Sequence, residues 1–113
     1  MPVAEIKIPS TIRVGGFDYV IEQGRMCNAE LRASNWAGSH SNMMQLIRIS
    51  SDGGPQQISD SFLHEILHAV GVVYAGNEVS ELHIGQMAHG LLQVMEQLGI
   101  RFVLKVDDAS SRD

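Results

Sequence analysis

An α+β fold is the class this 113-residue sequence predicts. Three observations carry the prediction. The first half breaks into short β-rich segments separated by glycine, proline and serine. The second half carries two long apolar-periodic stretches of helical spacing. The length suits one domain, because single domains commonly run about 100–150 residues. Strands followed by helices imply a small twisted sheet with the helices packed on it. The expected domain is 1–106, with Asp107–Asp113 as a polar, disordered tail.

Taken in order, Val3–Ile8 and Thr11–Val14 are β-rich and parted by Pro9 and Ser10. Gly15-Gly16 separates Thr11–Val14 from Phe17–Glu22, a hairpin signal. Residues 24–42 are small, polar and mixed, and read as a short helix near Ala29–Ala33 followed by loop. Met44–Ile49 reads as a further strand, stopped by the turn in Asp52-Gly53-Gly54-Pro55. Gln56–Val73 places apolar residues at 58, 62, 63, 66, 67, 69, 70 and 73, a broad helical stripe. Ala75-Gly76-Asn77 interrupts it, and Asn77 suits an N-cap. Glu78–Leu98 repeats the helical pattern, with Met87, Leu91, Val94 and Leu98 on one stripe and Ile84, Ala88, Leu91 and Met95 beside it. Gly99 suits a helix stop, and Ile100–Val106 a last strand.

Composition narrows the function. The net charge is −5; residues 1–56 hold five basic and five acidic groups, and residues 57–113 three basic and eight acidic. No basic stripe is present, which argues against nucleic-acid binding. The longest strongly apolar run, Ala69–Ala75, is far short of the roughly 20 residues of a membrane span. MPVAEIKIPS has no basic region leading into an apolar one, so a cytoplasmic protein is expected. The single cysteine, Cys27, excludes an internal disulfide and lacks the sequence partners of a thiol nucleophile.

Ser61–Gly71 reads SFLHEILHAVG and contains an HExxH motif: His64, Glu65, His68. Side chains four apart on a helix share one face, so both imidazoles can converge on one ion. Zinc hydrolases use this spacing, with the intervening glutamate as general base toward a zinc-activated water. Chance would produce the motif in a chain of this composition about one time in a hundred, so its context matters. Residues 66–70 apart from His68 are apolar, which predicts a buried helix and a buried Glu65 in need of a partner.

A catalytic zinc takes three protein ligands and leaves one position open. Gly71 matches the glycine of HExxHxxGxxH, but Tyr74 stands where that pattern has its third histidine. The three-histidine subtype is thereby excluded, as are zinc endoribonucleases of the three-histidine kind. Peptide deformylases are excluded because Cys27 sits in RMCNA and not in a Glu-Gly-Cys context. The remaining donors are Glu78, Glu81, His83 and His89 on the second helix. His83 points roughly opposite Glu81, toward solvent. His89 and Tyr74 are possible cleft or transition-state residues, and His40 lies in a loop with no assigned role.

The stretch ELHIGQMAHGLLQVM, Glu81–Met95, resembles the second metal helix of small gluzincin-type metallopeptidases. These include compact proteins of phages and mobile elements and the phage-repressor-cleaving peptidases. The match rests on Glu81 at the ligand position, Met87-Ala88 at the apolar-alanine pair, and GLLQVM at the helix end. It is good over residues 61–95 and loose elsewhere. The resemblance implies a minimal zincin-like fold in which His64, His68 and Glu81 hold one Zn2+ per chain and Glu65 is the general base. It implies peptide or protein substrates lying extended along an edge strand, here Met44, Gln45, Leu46, Ile47, Arg48 and Ile49. It also implies a bacterial or phage-infected host cytosol.

One departure stands out. Where the family carries an acidic or amide residue that supports a ligand histidine, this chain has Gly85; loss of such a partner costs about ten- to a hundredfold in metal affinity or activity. That favours an alternative reading, a metal-binding phage accessory or structural module with weak or no activity. A third reading has the acidic tail, with Asp107, Asp108 and Asp113, covering the site.

Overall fold

The computed structural model describes residues 3–76 and 79–103. Its elements run β1 (Ala4–Lys7), β2 (Thr11–Val14), β3 (Phe17–Glu22), α1 (Arg25–Ala33), β4 (Gly38–Ser41), β5 (Leu46–Ile49), α2 (Pro55–Ala75), α3 (Glu81–Gln97) and β6 (Ile100–Val103). The class is α+β. The expected tail Asp107–Asp113, the end of the last expected strand, Asn77 and Glu78 all lie outside the described residues. Among the described residues, no helix is long and apolar enough to cross a membrane.

The β2–β3 hairpin forms where Gly15-Gly16 predicts it, with Val14 paired to Phe17. Gly15 has φ +62°, and a Cβ there would come within 2.6 Å of Val73 Cγ1 on α2. Both the turn and the helix packing therefore require glycine at this position. β3 continues as the parallel neighbour of β5, and β5 is antiparallel to β4, giving the order β2-β3-β5-β4.

This order corrects the expected substrate strand. β5 is paired on both sides, so Met44–Ile49 is not an open edge. Met44 and Gln45 belong to the preceding turn, where Gln45 has φ +52°. Among the described residues the edge strands are β2 and β4, and β4 is the one beside the histidines; the sequence of β4 reads as loop because Gly-Ser-His-Ser has neither apolar alternation nor β-branched residues.

The single expected sheet is also corrected. β1 does not join β2; it pairs in parallel with β6 as a separate two-stranded sheet. Ile8 carries the chain from one sheet to the other and is fully buried. Ser59 of α2 locks β6 in place, its hydroxyl donating to the Phe102 carbonyl and accepting from the Phe102 N–H, both at 3.1 Å.

Alternation along the strands builds the core. Tyr19 and Ile21 of β3, with Ile47 and Ile49 of β5, pack against Phe62 and Ala69 of α2. Pro55 opens α2, and Gly76 ends it in the left-handed conformation at φ +61°. The next helix is capped by Ser80, whose hydroxyl accepts from the His83 N–H at 3.2 Å. It starts at Glu81, three residues later than expected. Its stripe through Ile84 and Ala88 is buried, whereas Met87, Leu91, Val94 and Leu98 are exposed. Gly99, at φ +76°, follows as expected.

Candidate metal centre

α2 sets His64 and His68 one turn apart, with ring centroids 4.9 Å apart and their Nε2 atoms at 3.2 Å. The first turn of α3 projects Glu81 across to them. Its Oε1 lies 2.6 Å from His64 Nε2 and its Oε2 2.7 Å from His68 Nε2. Two ring nitrogens and a carboxylate thus converge from two helices on one point.

Zinc bonded at about 2.0–2.2 Å in tetrahedral geometry separates its ligand atoms by about 3.3–3.6 Å. The nitrogen–nitrogen spacing is close to that value. The two carboxylate contacts have hydrogen-bond length and need to open by about 0.6–1.0 Å to admit the ion, a movement that falls to the exposed Glu81 side chain. The two-nitrogen, one-oxygen donor set is that of catalytic zinc sites. The residues fit the ion.

Their protonation suits the same role. Burial, reinforced by the nearby His40, lowers the pKa of His68 and favours the neutral imidazole that ligates. Burial by itself would raise Glu81, but its hydrogen bond to His64 and the histidine charges outweigh this, so its carboxyl is held below the usual range.

Glu65 is only 6% exposed. Its partner is His40 of β4, whose Nδ1 lies 2.8 Å from Glu65 Oε1. The His40 ring also stacks on His68, with centroids 4.2 Å apart and planes at 23°. Glu65, His40 and His68 each offer a ligating atom within 4.8 Å of the others. The hydrogen bond to Glu65 is the main cause that raises the His40 pKa, against the opposing effect of burial. Gly38, two residues before His40 on the same face of β4, makes the room: a Cβ there would sit 3.1 Å from both Glu65 Oε2 and the Arg48 carbonyl oxygen.

His40 is the site residue that sequence reasoning left unassigned. Its only local signal is the i, i+2 relation to Gly38, which means nothing until β4 is known to be a strand beside α2. The opposite happened with Tyr74 and His89. Tyr74 is 70% exposed and lies against the Gly15 turn, its ring displaced from the histidine face of α2. The side chain of His89 is 71% exposed, and its Nδ1 lies 2.8 Å from Asp60 Oδ1. It lines a neighbouring depression with Gln56, Gln57 and Leu92, not the one around the histidines. Neither reaches the cleft around the histidines. His83 is exposed and turned back to Ser80.

The centre opens into a depression of about 330 Å3 lined by Trp36, Gly38, Ser39, His40, His64, Glu65, His68 and Glu81. Gly85 faces His64, where an added Cβ would stand 3.8 Å from Cε1, an ordinary contact. Cys27 is buried, with its thiol near the Ile49 carbonyl and its pKa raised by that burial; it takes no part in the centre. The chain matches no protein-family model, no curated protein and no solved structure.

Proposed function

We propose that the protein is a zinc-dependent metallopeptidase of the gluzincin type, built on a minimal zincin-like fold and working in the cytosol. The observation that carries this reading is the convergence of His64, His68 and Glu81 beside a buried, histidine-held glutamate. Zinc, when bound, would supply Lewis acidity that polarises the scissile carbonyl and makes water a better nucleophile. His64, His68 and Glu81 are the residues that would hold it. Glu65 takes the proton of the attacking water and passes it toward the leaving amine. His40 fixes the Glu65 carboxylate through Oε1. The unpaired edge of β4 offers backbone groups to an extended peptide, in place of the strand expected from the sequence.

The test is elemental analysis of protein purified without a metal-affinity step, beside Glu81→Ala. The expected result is near one zinc per chain, lost or strongly weakened in the variant. A parent chain that holds no zinc after zinc addition and dialysis contradicts the reading.

A second reading, a metal-binding module without peptidase activity, is favoured by one observation. Among the described residues, His64 Nδ1 has no hydrogen-bond partner, and Gly85 stands beside that ring with no side chain to provide one. Zinc-loaded protein that leaves casein and a mixed peptide pool intact would support it.

A further inference from the structure

Three depressions meet at Trp36. It borders the one that holds the histidines and Glu81, of about 330 Å3. It borders a second of about 300 Å3, which runs over Ala37, Gln57 and Ser61 and shares His64, Glu65 and Glu81 with the first. It borders a third of about 340 Å3, which shares Ala37, Gln57 and Ser61 with the second and ends at Arg32 and Asp52. The shared linings make one trough leading away from the metal centre.

Trp36 is the sole tryptophan of the chain and is 59% exposed. Its backbone is nevertheless fixed. The N–H of Trp36 bonds the Leu31 carbonyl at 2.8 Å and that of Asn35 bonds the Arg32 carbonyl at 3.0 Å, while Asn35 has φ +60°. This is the paired hydrogen-bond pattern that closes a helix with a left-handed residue. On the other side, the Ser50 N–H holds the Ala37 carbonyl at 2.9 Å. In such a helix end the residue at the Trp36 position commonly packs back on the helix. Here Leu31 is buried and the indole stays out. A large aromatic on a fixed backbone in a cleft wall has much apolar surface to cover.

The rest of the trough is polar. Gln57 and Ser61 precede Glu65 at four-residue intervals, so one face of α2 runs from the trough to the proposed base. At the far end Arg32 and Asp52 neutralise each other through contacts of 3.0 and 3.2 Å. The middle depression also carries the Asp60 carboxylate, whose Oδ1 lies 2.8 Å from His89 Nδ1; in this polar lining Trp36 is the one large apolar side chain, common to all three depressions. We infer that Trp36 forms the wall of a substrate subsite that takes a bulky apolar or aromatic side chain of a peptide lying across the metal centre. The inference rests on the peptidase reading for the peptide nature of the occupant, and names its preference.

The test uses the full chain carrying Glu65→Gln, with zinc and again after chelation. The probes are capped serine/glycine octapeptides in which one phenylalanine is walked along the chain, beside the parent without it. Emission from Trp36 is excited where phenylalanine does not absorb, and calorimetry supplies affinities. Phenylalanine at one or two positions is expected to tighten binding about tenfold or more over the parent, with a blue shift of Trp36 emission. Trp36→Phe keeps that preference and Trp36→Ala loses it, while zinc content is the same in both. Equal affinity for all peptides, an unmoved emission spectrum, a preference that survives Trp36→Ala, or no peptide binding at all overturns the inference. The peptidase reading fails separately, through a parent chain without zinc or hydrolysis whose chelated form still shows the phenylalanine preference.

Discussion

The two long helices depart from the ordinary amphipathic pattern in opposite directions. α2 buries polar groups: Ser59, Ser61 and Glu65 lie within an otherwise apolar face. α3 exposes apolar ones along Met87, Leu91, Val94 and Leu98 while burying only Ile84 and Ala88. The two departures do not mean the same thing. A buried carboxylate has to be partnered, so its partners outline a site. Exposed apolar side chains are common on protein surfaces and, taken alone, point to nothing. The asymmetry predicts that substitutions on α2 act on chemistry, and those on α3 on packing, with Glu81 as the exception.

The largest expected effect is at the buried carboxylate. Glu65→Gln keeps its zinc and loses about 10²–10⁴ in the hydrolysis rate, the usual contribution of a positioned base. A Glu65→Gln chain as active as the parent, measured on any peptide the parent cleaves, removes the mechanism.

Next comes the group that holds that carboxylate. His40→Leu is expected to lower hydrolysis about ten- to a hundredfold while zinc stoichiometry stays unchanged. His40→Asn, which retains a donor near Nδ1, recovers part of the loss. The same pair of variants reads out in pH. The His40 pKa is raised above its ordinary 6.5, so its contribution to stability is complete below that value and fades as pH rises through the higher folded one. His68, shifted downward, acts in the opposite sense: its folded form resists protonation, so it destabilises as pH falls below 6.5. The difference in melting temperature between metal-free parent and His40→Leu reads out the first effect together with His40's influence on His68, and should shrink from acidic to alkaline pH. A difference that grows would reverse the assignment.

On α3 the buried face is the sensitive one. Ala88→Leu overpacks a fully buried contact and should cost about 1–3 kcal/mol in chemical denaturation. Ser80→Ala removes the helix cap, at about 1 kcal/mol. Leu91→Gln, on the exposed stripe, should fall within about 0.5 kcal/mol of the parent. A larger loss there means the stripe is covered in solution.

What could be read in the sequence was local. The Gly15-Gly16 hairpin, the proline start of α2 and the glycine after α3 follow from backbone rules acting over a few residues. The pairing of His64 with His68 follows from helix geometry alone. Non-local relations were hidden. Nothing in Ala4–Lys7 names Ile100–Val103 as its partner, because strand pairing is decided by what else the chain leaves unpaired. β4 was missed for its composition, and with it went His40, whose partner is 25 residues away. The proximity of Glu81 was anticipated through a resemblance and not through spacing, since the break at Gly76 frees the direction of α3. Tyr74 and His89 were placed near the chemistry by chain distance, and the helix phase turned both elsewhere.

Glu81 and the two histidines stand on either side of that break, so whatever binds them is a fastener between two helices. If zinc occupies the proposed site, its occupancy is linked to folding. An ion at a hundredfold excess over its Kd would add about 2.7 kcal/mol to the stability of the whole chain, and a chelator would withdraw it. On that proposal, chains made in metal scarcity would unfold and be degraded sooner than chains made in plenty.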